Sequence, residues 1–462
     1  MNMKSGHVLT NGYFVIGDQL QYGELYVTEG KIEGFRPLPD QKEKSEDVTG
    51  GNHENNVQIF DCQGAVVGPG FIDVHVHGGG GADVMDNTLE AFETMAQAHV
   101  KHGTTRFLLT TVTASHDSLL KVCTLAAKYI SQKEKEAQQG TQGEEDGTKN
   151  LQEASLEGDT FQVSHQQEAV QESHQQEAVQ ESAPKQDDVE EVRLQVSRLQ
   201  GAMPIGLHIE GPYIAPSKKG AQNAEHIRSF SLEEVEELQR AAQGNIKLIT
   251  LAPERLQQQS DLQKLVELGI VPSIGHTEAT YEECQRAFEH GATHMTHLCN
   301  AMPGLHHRSP GPIAFALNQD GCTVEFIADG IHVHPSMIQL ALKAKKQDEV
   351  IVVTDAMSAM GQEDGNYSLG NLAVTVKDGI ATLADGTLAG STLNMERAYQ
   401  LLLDQCQIDP VQLFRMMSTT PARILGLEQQ FGSIEQGKAA DLVVMKDHMI
   451  DKVMVAGQWI VC

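Results

Sequence analysis

Positive charge is scarce in this sequence: 34 Lys and Arg stand against 63 Asp and Glu, a net charge of −29 over 462 residues. Nucleic acids and anionic membranes are polyanions that such a surface repels, so neither is expected as a partner. An anionic substrate would have to meet a local basic group. Cysteine is sparse and unpatterned, with Cys62, Cys123, Cys284, Cys299, Cys322, Cys406 and Cys462 scattered singly and no C-x-x-C pair among them. That spacing excludes a zinc knuckle or a redox pair and fits a reducing compartment. Long apolar runs are missing too. No eighteen consecutive apolar residues occur, and the opening "MNMKSGHVLTNGYFVIGDQL" holds no continuous apolar segment of signal-peptide kind. The expectation is a soluble, cytoplasmic protein.

What is present divides the chain. Between Lys133 and about Glu191 the composition turns to Gln and Glu, and "SHQQEAVQE" occurs twice in tandem, at 164–172 and 173–181. Between Lys133 and Glu191 there are sixteen acidic residues against four lysines, too polar a mixture to bury a core. A nine-residue period matches neither the seven nor the eleven of regular supercoils, so a disordered or loosely helical insert at 133–198 is expected rather than a coiled-coil arm.

The remainder alternates short β-branched runs with helical stretches, the pattern of a parallel sheet wrapped by helices. Eight runs qualify as strands: "FIDVHVH", "TTRFLLTTVT", "PIGLHIEG", "IKLITLAPE", "VPSIGHT", "THMTHLCN", "TVEFIADGIH" and "VIVVTDA". Eight such units predict an α/β fold, a (β/α)8 barrel of the TIM type over residues 66–427, with active-site residues at the C-terminal strand ends. Residues 1–65 and 428–462 instead hold short strands separated by Gly and Asp turns, and predict a small β-sandwich built from both chain ends. The insert would then leave from the barrel's N-terminal face, away from the chemistry.

The strand ends carry the chemistry. In "DVHVHG", His75 and His77 stand two apart, and on an extended strand both rings point to one face. Glu210, His276 and His297 close three further runs. Together these five offer the donor types that hold Zn, Fe(II), Mn or Co, with Glu210 able to bridge two ions. His102 and His290, each preceding a Gly at a helix end, need no ligand role, because the helix dipole favours them there. Asp355 closes the eighth run, placed to take a proton from an activated water and pass it to a leaving group. Metal-assisted hydrolysis is the reaction class these residues predict. The glycines Gly78–Gly81 lack the strand-turn-helix frame of a phosphate loop and are expected to give the backbone room beside the metals.

Beyond this, "PGFIDVHVHG", "GLHIEGPYIAPSKKGAQN", "IGHT", "THLCNAMPGLHHRSPG", "ADGIHVHP", "VTDAMSAMG" and "LAGSTLNM" resemble the motif series of the N-acetylglucosamine-6-phosphate deacetylases of the amidohydrolase superfamily. The resemblance spans everything outside 133–198. It implies that Glu210, His276 and His297 hold the main metal and that Asp355 is the catalytic acid/base. It further implies that His332 contacts the sugar and that Asn300 and Ala301 hold its phosphate. Arg308 resembles the arginine lent to the neighbouring subunit's phosphate site, which implies a homodimer. Some branches of the family carry Gln and Asn at the first two positions and use one ion; with His75 and His77 present, one or two divalent ions per chain are expected here. Gln222 stands where some relatives have a histidine near the acetyl group.

The implied activity is removal of acetate from N-acetylglucosamine 6-phosphate. Two other readings compete. One is a different amidohydrolase, such as a cyclic-amide hydrolase or an aminopurine deaminase; the branch that bridges its metals with a carboxylated lysine would need a Lys at a strand end, and none of the eight runs has one. The other is an inactive barrel kept as a binding scaffold, which a complete set of ligands and Asp355 argues against.

Overall fold

The computed structural model describes residues 6–39, 57–140 and 199–460. Eight parallel strands pair in sequence order: β1 Phe71–Val76, β2 Thr104–Thr111, β3 Met203–Glu210, β4 Ile246–Leu251, β5 Val271–Ile274, β6 His294–Met295, β7 Thr323–Ile327 and β8 Val350–Val353. Each contains residues of one of the eight predicted runs. Strands β1, β2, β7 and β8 are buried at every position, as a sheet covered on both faces requires. The barrel closes beyond β8: Val76 bridges to Ala356, and the Asp355 and His77 amides donate to the carbonyls of His75 and Ala356 at 3.0 and 2.9 Å. The run "THMTHLCN" supplies only the two-residue β6, because its second half turns out of the sheet with His297 and Cys299 at φ 28° and 84°.

Eight helices follow the strands: α1 Leu89–Val100, α2 His116–Gly140, α3 Leu232–Ala241, α4 Ser260–Glu267, α5 Tyr281–Glu289, α6 Gly311–Asn318, α7 Pro335–Ala344 and α8 Met395–Cys406. Their starts are capped by their own sequence. Thr88 and Ser231 each accept from the amide three residues on, and Thr280 with Glu283 forms a reciprocal capping box, each such cap stabilising by about 1 kcal/mol. No helix among the described residues is long and apolar enough to cross a membrane.

Helix α2 corrects the start of the insert. It continues through Lys133 to Gly140, and Lys133, only 5% exposed, pairs with Glu93 of α1 and with Glu136. Residues 133–140 therefore belong to the folded barrel. The polar composition that suggested otherwise is that of a helix whose apolar stripe ends before its last turns. The expected disorder of 141–198, including both nine-residue repeats, lies outside the described residues.

Both chain ends enter one further sheet of eight strands, in which Leu442–Lys446 pairs with Val66–Pro69, and Val66–Pro69 with Gly6–Ile16. It has its own core, including Leu9, Phe14, Leu25, Val67, Leu442 and Met454. Because Val66–Pro69 belongs to this sheet, the barrel starts at Phe71. Arg106 of β2 joins the two bodies: its guanidinium grips both oxygens of Asp441 at 2.7 and 3.0 Å and lies 5.1 Å from the Phe431 ring. Breaking such a buried pair costs about 3–5 kcal/mol.

One element was not anticipated. After β8 the chain forms a three-stranded antiparallel sheet, Gly365–Leu369, Leu372–Lys377 and Ile380–Thr382. Alternating burial in Leu372–Lys377 places Val374 and Val376 on a small core with Met357 and Ala389, so this sheet packs beside the Asp355 end of the barrel.

Candidate active site

Five strand ends deliver six side chains to one point. His75 lies within β1, His77 follows it by one residue, and Glu210 is the last residue of β3. His276, His297 and Asp355 each stand two residues past their strand and have positive φ of 47°, 28° and 49°. Left-handed backbone at non-glycine residues costs about 1–3 kcal/mol each and persists where the surroundings enforce it. Here it turns each side chain back over the barrel mouth.

The distances define two triads that share one carboxylate. His75 and His77 present Nε2 atoms 3.2 Å apart, at 3.4 and 3.3 Å from Glu210 Oε1 and Oε2 respectively. On the other side His276 and His297 have Nε2 atoms 3.1 Å apart, at 3.1 and 3.2 Å from Glu210 Oε1. In both sets, {His75, His77, Glu210} and {Glu210, His276, His297}, all donor atoms lie within 4.8 Å of one another and all residues are buried.

The far side of each ring shows how these donors are set. His77 Nδ1 lies 3.2 Å from the Thr110 carbonyl, and His276 Nδ1 lies 2.8 Å from the Lys218 carbonyl. A carbonyl only accepts, so each Nδ1 carries a proton, and whenever the ring is neutral, as a metal ligand must be, its Nε2 presents a lone pair inward. His75 Nδ1 faces Glu325 Oε2 at 3.3 Å with the same consequence. Lone pairs converging at 3.1–3.2 Å repel unless a cation lies between them, and orientation of the ring by an outer acceptor is the habit of metal-binding histidines. The residues therefore fit a pair of divalent ions, with Glu210 between them.

Asp355 completes the cluster, with Oδ1 3.1 Å from His77 Nε2 and 3.4 Å from His75 Nε2. Burial alone would raise its pKa, but His75 and His77 outweigh that and hold it below the ordinary carboxylate range. Glu210 is likewise held well down against burial, by His75 first and then His276. Burial works against charge on His77, yet Asp355 and Glu210 raise it to about 9. The pattern is that of ionised carboxylates waiting for cations.

His77, Glu210, His276, His297 and Asp355 line one wall of a cavity of about 230 Å³, with His75 behind them, and the other walls include Gln222, Asn300, Ala301, His332, Leu369 and Leu388. The structure thus gathers every expected site residue except one. Arg308 is exposed on the loop after His297, its guanidinium 2.7 Å from His307 Nε2, and does not line this cavity. Gln222 lies against the shared carboxylate: its amide nitrogen donates to Glu210 Oε2 and its oxygen accepts from the Thr113 amide.

His102 and His290 are elsewhere, one paired with Glu396 at 2.9 Å and the other bonded to the Arg286 carbonyl. Gly78 and Gly79 need correcting. A Cβ on Gly78 would meet the Ala82 carbonyl and the Ser358 amide at 2.5 and 2.6 Å, and one on Gly79 the His99 ring at 2.8 Å. The missing side chains let β1 pack against the segment after Asp355, rather than leaving space beside metals.

Sequence reasoning passed over Glu325 and Asp329. Glu325 is fully buried inside β7, and Asp329 holds His332 Nδ1 at 2.6 Å. A lone acid in the apolar run "TVEFI" and an acid three residues before a site histidine were the available signals. The cavity walls Leu369 and Leu388 lie in and just after the unanticipated sheet, whose short alternating strands resemble the turns of any surface loop.

An eight-stranded parallel barrel with histidine and carboxylate donors at its C-terminal mouth defines a metal-dependent hydrolase of a recognisable class. The amidohydrolase family model matches residues 178–460, and the chain belongs to that family. Relatives to which it is similar include sugar-phosphate deacetylases. N-acetylglucosamine-6-phosphate deacetylase of Bacillus subtilis is 33% identical over 421 residues, 91% of each chain. N-acetylgalactosamine-6-phosphate deacetylase of Escherichia coli O157:H7 is 28% identical over 94% of each. The structure of a variant N-acetyl-D-glucosamine-6-phosphate deacetylase from Mycobacterium smegmatis, solved with N-acetyl-D-glucosamine-6-phosphate, superposes with a TM-score of 0.77 at 26% identity, covering 99% of this chain and all of that one.

Proposed function

We infer that this chain hydrolyses the acetamide of N-acetylglucosamine 6-phosphate, giving glucosamine 6-phosphate and acetate. The observation that carries it is the pair of triads sharing Glu210, with Asp355 beside them on the wall of a cavity of about 230 Å³, in a chain whose full-length relatives bear that activity's name. Among the competing readings, a cyclic-amide hydrolase or aminopurine deaminase has no counterpart in those relatives, and an inactive scaffold would not keep the whole donor set.

Two divalent ions, from the set Zn, Fe(II), Mn and Co, are the cofactor this reading assigns: one to Glu210, His276 and His297, a second to His75, His77 and Glu210. Such ions acidify water and polarise a carbonyl. The protein's own groups do the rest. Asp355, ionised at neutral pH, accepts the proton of the attacking water as its oxygen bonds to the acetyl carbon. It returns that proton to the nitrogen as the C–N bond breaks, so the amine leaves neutral and acetic acid remains, which becomes acetate by releasing the water's second proton to solvent. His332, whose Nδ1 is committed to Asp329, is favoured in its protonated form despite burial. Its remaining N–H is free to donate to a substrate oxygen in the cavity it lines.

Asn300 and Ala301 form the wall assigned to the phosphate, and Arg308 is read as reaching that phosphate across a homodimer. Supporting this, the described cavity wall contains no Lys or Arg, while Arg308 is exposed on an adjoining loop. A cytoplasmic setting belongs to the same reading, supported by the six described cysteines being free thiols. The direct test is acetate release from N-acetylglucosamine 6-phosphate and from its 4-epimer. Preference for the first supports this reading; preference for the galactosamine compound would assign the chain to the activity of the E. coli relative.

A further inference from the structure

Glu325 is a buried acid that the reaction above does not use. It lies inside β7 with no exposed surface, and its two oxygens have three partners. Oε1 accepts from His294 Nε2 at 2.7 Å, and His294 Nδ1 is satisfied in turn by Thr323 Oγ1 at 2.5 Å. Oε2 stands 3.3 Å from His75 Nδ1 and accepts from the main-chain amide of His297 at 3.2 Å. The Glu325 carbonyl accepts the next amide, Leu298, at 2.8 Å.

One oxygen thus touches a member of each triad. On the first side it decides a tautomer: with Nδ1–H directed at Glu325, a neutral His75 must present its Nε2 lone pair to His77 and Glu210. On the second side it decides a backbone position, because His297 turns out of β6 with φ 28°, a conformation that needs outside support. His297 Nδ1 has no hydrogen-bond partner among the described residues, so its ring is placed by this backbone anchor rather than by an acceptor behind it. The other ligand histidines, His77 and His276, rest on main-chain carbonyls and do not need Glu325.

We propose that Glu325 is the positioning residue that aligns the two metal half-sites with each other, fixing the ring of His75 and the main chain of His297 through a single carboxylate. The proposal rests on the two-ion reading of the site. Its conservative variant is informative. In Glu325→Gln the amide oxygen can keep the Oε2 place, and the new NH2 can face His294, which can change tautomer by donating to Thr323. A neutral acceptor is a weaker partner than a carboxylate. Glu325→Ala removes the acceptor altogether.

The test is titration of Zn²⁺ or Mn²⁺ into chelator-stripped protein, with near-UV circular dichroism to report the fold. Loss of an outer-shell partner typically costs 10–100-fold in metal affinity. Glu325→Gln should weaken binding of the ions by up to about 10-fold and Glu325→Ala by more, in chains whose fold is retained. If Glu325→Ala does not fold, Glu325→Gln carries the test alone. A folded variant of either kind that binds both ions with parental affinity would overturn the proposal, even if its melting temperature had fallen, since a packing role alone would move only the latter. A parent protein that binds no divalent ion would instead overturn the two-ion reading itself, a failure visible before any variant is made.

Discussion

Asp355 is the residue whose chemistry is most exposed to test. Both proton transfers are assigned to its carboxylate, and its partners His75 and His77 already hold it ionised. Asp355→Asn keeps the shape and one acceptor oxygen while removing the base, so turnover should fall by at least about 10²-fold with substrate affinity and melting temperature nearly unchanged. Steady-state kinetics beside a thermal melt check this; turnover within tenfold of the parent would remove Asp355 from the mechanism. The residues legible in the sequence were those at predicted strand ends: His75, His77, Glu210, His276, His297 and Asp355 all reached one cluster. Glu325 was not legible, because inside a strand the period-2 pattern says only which face a side chain takes, and its partners His75 and His294 come from β1 and β6. Gln222 was legible as a departure in a motif, but its bond to Glu210 depends on how a loop returns to the mouth.

At the scale of elements, the strands forecast by β-branched runs formed and paired in order, since a parallel barrel buries both faces and writes itself as continuous apolar sequence. The end of α2 and the sheet over 365–382 were misread or missed for the opposite reason, being half-exposed and polar enough to pass for loops. The seam where β1 meets the segment after β8 depends on Gly78. Gly78→Ala places a methyl against two main-chain atoms at 2.5 and 2.6 Å, where no side chain can move aside. The seam must open, and the expected cost is about 1–3 kcal/mol or more, with turnover reduced because Asp355 rides on the displaced segment. Gly304→Ala is the control, since a Cβ there meets nothing within 4 Å and should leave stability within about 0.5 kcal/mol. Equal melting curves for the two variants would show that the seam is not tight.

For the whole molecule, the net charge of −29 sets a problem that one subunit does not visibly solve, because its described cavity wall holds histidines but no lysine or arginine. If Arg308 crosses to a neighbouring phosphate site, Arg308→Ala should impair use of the phosphorylated sugar far more than of N-acetylglucosamine itself. Mixing inactive Arg308→Ala and Asp355→Asn chains should then restore activity, because a hybrid dimer contains one site with both residues intact. No recovery after demonstrated subunit exchange would confine Arg308 to its own subunit.

The central claim is that Glu210 is shared by two divalent ions and that deacetylation depends on them. Elemental analysis of the purified chain, read beside acetate release from N-acetylglucosamine 6-phosphate, tests it most directly when the double variant His75→Gln, His77→Asn is measured in parallel. The account predicts two ions per chain in the parent and one in the variant, held by Glu210, His276 and His297, with deacetylation reduced but measurable. A variant that loses all metal and all activity, or a parent that carries a single ion unaffected by the double replacement, would contradict it.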